Sequence, residues 1–362
     1  MNLFYAAFIP GLQNVIEQVI KERLSDVVIH KLLDGAVIFE TKISYDKLNF
    51  FCFNNIFAVI NITDAKEGFN SLEKNIKAII NNKKEFEHQQ YKTPCASKLS
   101  VGQQSSVVNF NTITNNSKSF KTFRIIISNE NKPAAIDEKL RVAAEKFISS
   151  LSGLKVNRSL PDTEFWFLYR REGFSVFMKR LTLKTSWDKT LHKGELPPPL
   201  TWTLCRLAGL KHSDTVLDPF CGYGSIPDTA IKHFHVTNFI TCDNNKEAAS
   251  FTAVRFKNKN GFTLYKNNFY ELPSVIAENS IDAIVTDPPW GQYREINDSS
   301  FLIKMFSIFD KLLKPGGRAV VLYANDDNFV KAIPASFNLQ NQIPILLSGK
   351  KAVIYILEKS SR

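Results

Sequence analysis

Cysteine is scarce and unpatterned in this chain of 362 residues. Cys52, Cys95, Cys205, Cys221 and Cys242 are odd in number, scattered, and contain no CxxC pair. A disulfide framework and a zinc site therefore both lack support, and no metal is expected. Reduced, buried thiols in a cytoplasmic or organellar protein are the expectation, with the cytoplasm preferred. No apolar run approaches the ~20 residues needed to cross a bilayer, so no membrane partner is expected. Residues 4–12 are apolar but have no basic lead-in, and Gln13, Asn14, Glu17 and Gln18 soon follow, which does not read as a signal peptide. No internal repeat is visible, and no Gly-Lys-Ser/Thr triplet exists, which excludes a P-loop.

What is present is positive charge, unevenly placed. The net charge is +11. Residues 51–200 hold 23 basic and 14 acidic side chains, a balance of +9, against −1 for 1–50, −2 for 201–300 and +5 for 301–362. A basic block of this kind suits a polyanion, through phosphate contacts and counterion release. Length implies two or three domains. A strand near 3–8, a helix opened by Pro10, and strands at 36–41 and 56–62 begin the chain. A helical stretch at 72–86 follows, then a polar segment at 107–119, a strand at 122–128 and a helix at 134–151. Two β-rich runs, 164–169 and 175–179, flank a turn at Glu172-Gly173. Pro197-Pro198-Pro199 is the clearest punctuation, since successive prolines hold an extended backbone. From Thr201 onward strands and helices alternate, with strands at 215–218, 238–242, 263–265, 283–287, 319–323 and 352–357. Alternation predicts a parallel doubly wound sheet, whose ligands lie at the carboxyl ends of its strands. Lys314-Pro315-Gly316-Gly317-Arg318 reads as a structural turn.

Three successive strand ends carry candidate ligand-binding residues. Asp218-Pro219-Phe220-Cys221-Gly222-Tyr223-Gly224-Ser225 follows the first strand and opens a helix. Gly222 and Gly224 permit a tight turn and close approach to a ligand, but the third glycine of a dinucleotide loop is replaced by Pro227. Asp218 can accept from an ammonium or hold a water. Asp243, followed by Asn244, ends the second strand, where a carboxylate reaches ribose hydroxyls. Asn267-Asn268-Phe269 follows the third; an amide there can read an adenine edge, and Phe269 can stack or pack. Together they imply an adenosine with a charged amino-acid tail.

The fourth strand stops on Asp287-Pro288-Pro289-Trp290-Gly291. An aromatic amine is a poor nucleophile because its lone pair is delocalised into the ring. Two acceptors, the Asp287 carboxylate and the Pro288 carbonyl, can hold its hydrogens and turn the nitrogen toward a methyl donor, while Trp290 offers a face for a flipped base.

From about Leu191 onward, these motifs resemble the catalytic domain of the THUMP-domain RNA methyltransferases. The resemblance rests on Leu196-Pro197-Pro198, the segment from Asp218 to Ser225, Asp243, and Asp287-Pro288-Pro289-Trp290-Gly291. It implies a Rossmann-like class I methyltransferase domain at 201–362, using S-adenosylmethionine to methylate guanosine N2 in tRNA. It assigns catalysis to Asp287, Pro288 and Trp290. Cofactor binding falls to Pro197, Asp218, Phe220, Gly222, Gly224, Ser225, Asp243, Asn244, Asn268, Phe269 and Asp287. More loosely, residues 1–65 resemble a ferredoxin-like domain and 66–180 an RNA-binding THUMP domain that holds the tRNA acceptor end, with 181–200 as linker. Some eukaryotic members of the family need a small activating subunit. Tyr223, Pro227, Asn268 and Trp290 depart from the family's usual residues. Trp290 keeps an adenine-N6 methyltransferase open as an alternative, although the glycine loop precedes the catalytic loop here. A non-catalytic RNA-binding protein with a vestigial methyltransferase fold is the third reading.

Overall fold

The computed structural model describes residues 1–87, 120–130, 132–182, 191–290, 299–324 and 327–361. The polar segment at 107–119, Cys95 and Gly291 lie outside these residues. The chain divides into two compact units. The first comprises residues 1–8 and 13–185, the second residues 9–12 and 186–362.

The first unit is built on one nine-stranded sheet among the described residues. Its strands are β1 (Asn2–Ala7), β2 (Val28–Leu33), β3 (Ala36–Thr41), β4 (Asn55–Asp64), β5 (Thr122–Asn129), β6 (Lys132–Pro133), β7 (Lys155–Val156), β8 (Thr163–Arg170) and β9 (Phe174–Arg180). Their order is β2-β3-β1-β4-β9-β8-β5-β6, with β7 beside β5. Pairing of β4 with β9 runs from Phe57 opposite Arg180 to Asp64 opposite Phe174, so the sheet is continuous across residues 65 and 66. The helices are α1 (Gln13–Arg23), α2 (Asn70–Asn81), α3 (Lys83–Glu87) and α4 (Glu138–Ser152). Spacing explains them. Val15, Ile16, Val19 and Ile20 form the buried stripe of α1, and Leu140, Ala144, Phe147 and Ile148 that of α4. Asp137 caps α4 by accepting from the Leu140 N–H at 3.0 Å.

Some boundaries differ from expectation. The stretch at 72–86 is two helices, because Asn82 leaves helical geometry at the end of α2. The strand at 28–33 was not expected, because partial exposure hides its pattern: β2 lies at a sheet edge. The prolines before Thr201 do not delay the helix. α5 (Pro198–Leu207) starts on two of them, because the first helical turn needs no N–H donors and Pro φ already suits it. The expected linker at 181–200 therefore ends inside a helix.

The second unit holds a seven-stranded sheet in the order β12-β11-β10-β13-β14-β16-β15. The strands are β10 (Thr215–Asp218), β11 (Asn238–Cys242), β12 (Phe262–Tyr265), β13 (Ile281–Thr286), β14 (Leu313–Ala324), β15 (Phe337–Leu347) and β16 (Lys350–Lys359). From β12 to β14 neighbours are parallel; β16 runs antiparallel to both β14 and β15. The helices are α6 (Ser225–His233), α7 (Lys246–Arg255), α8 (Ser299–Leu312) and α9 (Asp327–Ala332). Leu217, Ile284, Met305, Phe306, Phe309 and Tyr355 are among the buried residues of its main core cluster. The Pro-Gly-Gly stretch lies within β14 at a register shift against β13 rather than ahead of the strand. β15 escaped the sequence reading because it carries Pro344 and a mostly exposed face, both tolerated at an edge.

Residues 9–12 join this second unit through a close backbone approach. The Leu346 N–H donates to the Pro10 carbonyl at 3.2 Å. Gly11 has φ +97°, and a Cβ placed there would lie 2.0 Å from the Pro344 carbonyl oxygen. Gly11→Ala should therefore destabilise this unit by on the order of 1–3 kcal/mol through strain and overpacking. Thermal denaturation monitored by circular dichroism should show a clear fall in the midpoint; an unchanged midpoint would contradict the close approach.

Candidate active site

The site forms where the parallel sheet changes direction of growth. β10 lies between β11 and β13, with Val216 opposite Ala283 and Leu217 opposite Ile284. Each strand is followed by its helix on the carboxyl side, so the ends of β10 and β13 are the natural ligand position of such a sheet. Asp218 is the last residue of β10, and Asp287 directly follows β13. Thr286 ties them together: its hydroxyl donates to Asp218 Oδ1 at 2.7 Å. The Phe220 N–H donates to the same oxygen at 3.2 Å. The other oxygen, Asp218 Oδ2, is buried without a hydrogen-bond partner.

Both carboxyls resist ionisation. Burial pushes Asp218 up to about 7, and the Asp243 charge adds to this, against the opposing bonds from Thr286 and Phe220. Burial pushes Asp287 up to about 8, with the Asp218 charge adding and the Trp290 hydrogen bond opposing. Asp287 as a whole residue is half-buried, but its carboxyl is the desolvated part. Two acids so placed, one with an orphan oxygen, could together hold a positively charged group.

The glycine loop is fixed from three sides. Asp243 Oδ2 accepts from the Gly222 N–H at 2.7 Å, and Asp243 Oδ1 accepts from the Asn245 N–H at 2.8 Å. The Thr252 hydroxyl donates to the Gly222 carbonyl at 2.9 Å. Arg255 donates to the Tyr223 carbonyl at 3.0 Å and to Glu195 at 3.1 Å, and pairs with Asp228 at 2.9 Å. Gly224 begins α6 at φ +83°, and a Cβ there would meet a Phe256 ring carbon at 2.8 Å. Positive φ and a tight neighbour thus both call for glycine at this position.

Residues 186–343 match the family model described as RMKL-like, methyltransferase domain. This stretch is thus similar to that domain family. Among curated proteins, the chain is 25% identical over 183 residues to the mouse (Mus musculus) tRNA (guanine(6)-N(2))-methyltransferase THUMP3, covering 45% of this chain and 36% of that protein. It is 25% identical over 181 residues to the Bos taurus U6 snRNA (guanine-N(2))-methyltransferase THUMPD2, covering 48% and 34%. The matches thus span about a third of the length of these two relatives. Its fold resembles that of TrmN from Thermus thermophilus, with a TM-score of 0.73, 18% identity, and coverage of 99% of this chain and 100% of that one.

Within the second unit, the expected residues are not all placed alike. Asp218, Phe220, Gly222, Gly224, Asp243, Asp287 and Trp290 are linked by direct contacts or adjacent loops at the ends of β10, β11 and β13. Phe269 is buried in the core, 4.7 Å from Phe220 between ring centres, so it packs. Asn268 Oδ1 accepts from the Tyr270 N–H at 3.3 Å and caps a short 3-10 turn. Asn244 is exposed. Pro197 is the N-cap residue of α5. Pro288 is buried. Ser225 lines a cleft of about 600 Å³ together with His192, Glu195, Asp228, Lys232 and Arg255; Asp218, Asp243 and Asp287 do not line it. Tyr223, which departs from the family pattern, stacks on His192 at 4.0 Å. Pro227 is accommodated in the first turn of α6.

Sequence reasoning missed Thr286, Thr252 and Arg255. Thr286 adjoins the Asp-Pro-Pro-Trp motif, but its partner is 68 residues away and needs the strand order to be known. Cys52, Cys205, Cys221 and Cys242 are free and buried, as expected of structural thiols. Burial raises all four; Cys242 reaches about 11 and Cys52 about 12.

Asp218 makes stability depend on pH. Its folded value of about 7 lies above its ordinary 3.8. The neutral form therefore contributes stability that is fully present below the ordinary value and is lost as pH rises through about 7. Asp218→Asn keeps the shape and removes the titration. The wild-type melting temperature should fall relative to the variant between acid and neutral pH. Parallel curves for the two proteins would contradict the burial of an ionisable Asp218.

Proposed function

We propose that this chain transfers a methyl group from S-adenosylmethionine to the exocyclic N2 amine of a guanosine in tRNA. One observation carries the reading. The Asp-Pro-Pro-Trp loop stands beside a buried Asp218 whose Oδ2 has no partner, at the carboxyl ends of neighbouring strands in a methyltransferase domain. The residues suit this cofactor. Asp218 Oδ2 would accept from its ammonium, Gly222 and Gly224 would admit it to the backbone, and the remaining lone pairs of Asp243 would take ribose hydroxyls. When bound, S-adenosylmethionine supplies an electrophilic methyl group on a sulfonium. A positive charge beside Asp218 and Asp287 would favour their ionised forms.

The chain's own contribution is orientation. Ionised Asp287 accepts one hydrogen of the amine and the Pro288 carbonyl accepts the other, turning the nitrogen lone pair out of conjugation. Pro288 and Pro289 hold the acceptor directions through their rings. The proton lost from the amine passes to a neighbouring acceptor or to solvent after methylation. Guanine is favoured by the order of the motifs, with the glycine loop first, and by the names of the matched relatives. Trp290 is the observation that keeps adenine N6 as the second reading. The sequence gives residues 51–200 their balance of +9, and we assign RNA binding to this region, with 1–65 ferredoxin-like and 66–180 THUMP-like, holding the acceptor end of tRNA. The four buried thiols suit a reducing compartment such as the cytoplasm. A small activating subunit, as in some eukaryotic members of the resembling family, is part of the same proposal. No helix among the described residues is long and apolar enough to cross a membrane.

Incubation with labelled S-adenosylmethionine and unmodified transcripts of tRNA and U6 snRNA, followed by nucleoside analysis, tests the proposal. N2-methylguanosine from tRNA is expected; N6-methyladenosine would establish the second reading instead, and labelling of U6 alone would move the substrate. Asp287→Ala should lower turnover by roughly 100-fold or more while cofactor binding by calorimetry persists. Full activity in that variant would overturn the mechanism. Because Asp287 must be ionised to accept, activity should rise with pH on a limb that cofactor binding moves below about 8. A rate that falls as pH is raised over that range is the contrary result.

A further inference from the structure

Strand ends in this domain follow a local rule that one of them breaks. Asp218 accepts from the N–H two residues on, at Phe220, with 3.2 Å. Asp243 does the same with Asn245 at 2.8 Å, and Asn268 with Tyr270 at 3.3 Å. Short acid and amide side chains can take this donor where the backbone offers it, which occupies a lone pair and fixes the side chain. Asp287 cannot do so. The next two residues are Pro288 and Pro289, and neither has an N–H. Its donor comes instead from Trp290, whose indole Nε1 donates to Asp287 Oδ1 at 2.7 Å. The Trp290 ring is itself held, partly buried against the core cluster that contains Phe269 and Phe301.

We propose that Trp290 is a positioning residue for Asp287: its indole N–H occupies Oδ1 and thereby presents Oδ2 to the incoming amine. This rests on the methyl-transfer reading above and adds to it a role for the ring nitrogen, distinct from stacking on a base. The two prolines then serve a second purpose. By removing the local backbone donors, they leave the carboxylate dependent on a side chain anchored in the core. A carboxylate free to rotate about its last bond would present either oxygen, and the amine would lose its single approach direction. A phenylalanine at this position keeps a stacking face and loses the positioning. The charged group acting on Asp287 is Asp218 across the strand pair. Burial and that charge both disfavour its ionisation, so the indole bond is the interaction that opposes them.

The test replaces the N–H while keeping the ring. Trp290→Phe is the simple variant; incorporation of benzothienylalanine at position 290 keeps the bicyclic shape and substitutes sulfur for the N–H, so packing is retained if the phenylalanine protein folds poorly. Both should lower kcat by on the order of tenfold, leave KM for RNA within about twofold, and move the acid limb of the kcat profile to higher pH. A raised KM with unchanged kcat and an unmoved limb in the benzothienylalanine protein would overturn the proposal and leave stacking as the role of Trp290. A readout independent of turnover is the indole N–H resonance of Trp290 in the whole protein. It should titrate with pH in the wild type and stop titrating in Asp287→Asn; an indole signal equally indifferent to pH in both proteins also overturns the proposal. Failure of the underlying methyl-transfer reading looks different. It would appear as full activity in Asp287→Ala, or as no methylated nucleoside at all, with the indole titration intact.

Discussion

Burial of two carboxyl groups at neighbouring strand ends organises the candidate site of the second unit. Asp218 and Asp287 are drawn out of water by the sheet that carries them, and the Asp218 charge adds to the resistance of Asp287 to ionisation. Left alone, this arrangement disfavours charge in the site. It is tolerable because Thr286 and the Phe220 N–H satisfy one oxygen of Asp218 and Trp290 satisfies one oxygen of Asp287. The unfilled acceptor is Asp218 Oδ2. In the function proposed above, a cationic cofactor there would also favour the ionised form of Asp287, linking binding to amine acceptance through one electrostatic field.

The scaffold around this pair is arranged so that the loops cannot drift. Asp243 reaches back to the Gly222 N–H, Thr252 holds the Gly222 carbonyl, and Arg255 gathers Tyr223, Glu195 and Asp228. These bonds come from β11 and α7 and converge on the loop after β10. Hydrogen bonds from several elements to one loop restrict it more than any single bond could, which suits a site whose chemistry depends on direction. The cleft of about 600 Å³ beside α6 is not lined by the three acids, so volume alone points to a different place from the one their chemistry suggests.

Legibility from sequence was uneven for definite reasons. Strands 215–218 and 238–242 were read to the residue, because buried parallel strands are short apolar runs bounded by turn residues. Edge strands β2 and β15 were missed, because partial exposure and a proline erase that signal. The helix at α5 was placed too late, because proline was read as a breaker where it is an initiator. Among the candidate residues, the placement of Asp218, Gly222, Gly224, Asp243 and Asp287 at strand ends or in the loops after them was legible from the sequence. Asn268 and Phe269 were legible as a location, but a capping bond and core packing account for what their side chains do here.

By itself, the sequence determined the alternation of strands and helices, the residues at each strand end, and the absence of N–H groups after Asp287. All of these are local, set by residue type and spacing along the chain. Only tertiary structure decided that β10 and β13 are neighbours, that Thr286 bonds Asp218 across 68 residues, and that residues 9–12 belong with the second unit. It also decided how deeply the two acids are buried, and hence which way they titrate. Burial and strand order arise from contacts between distant segments, and no spacing along the chain encodes them directly.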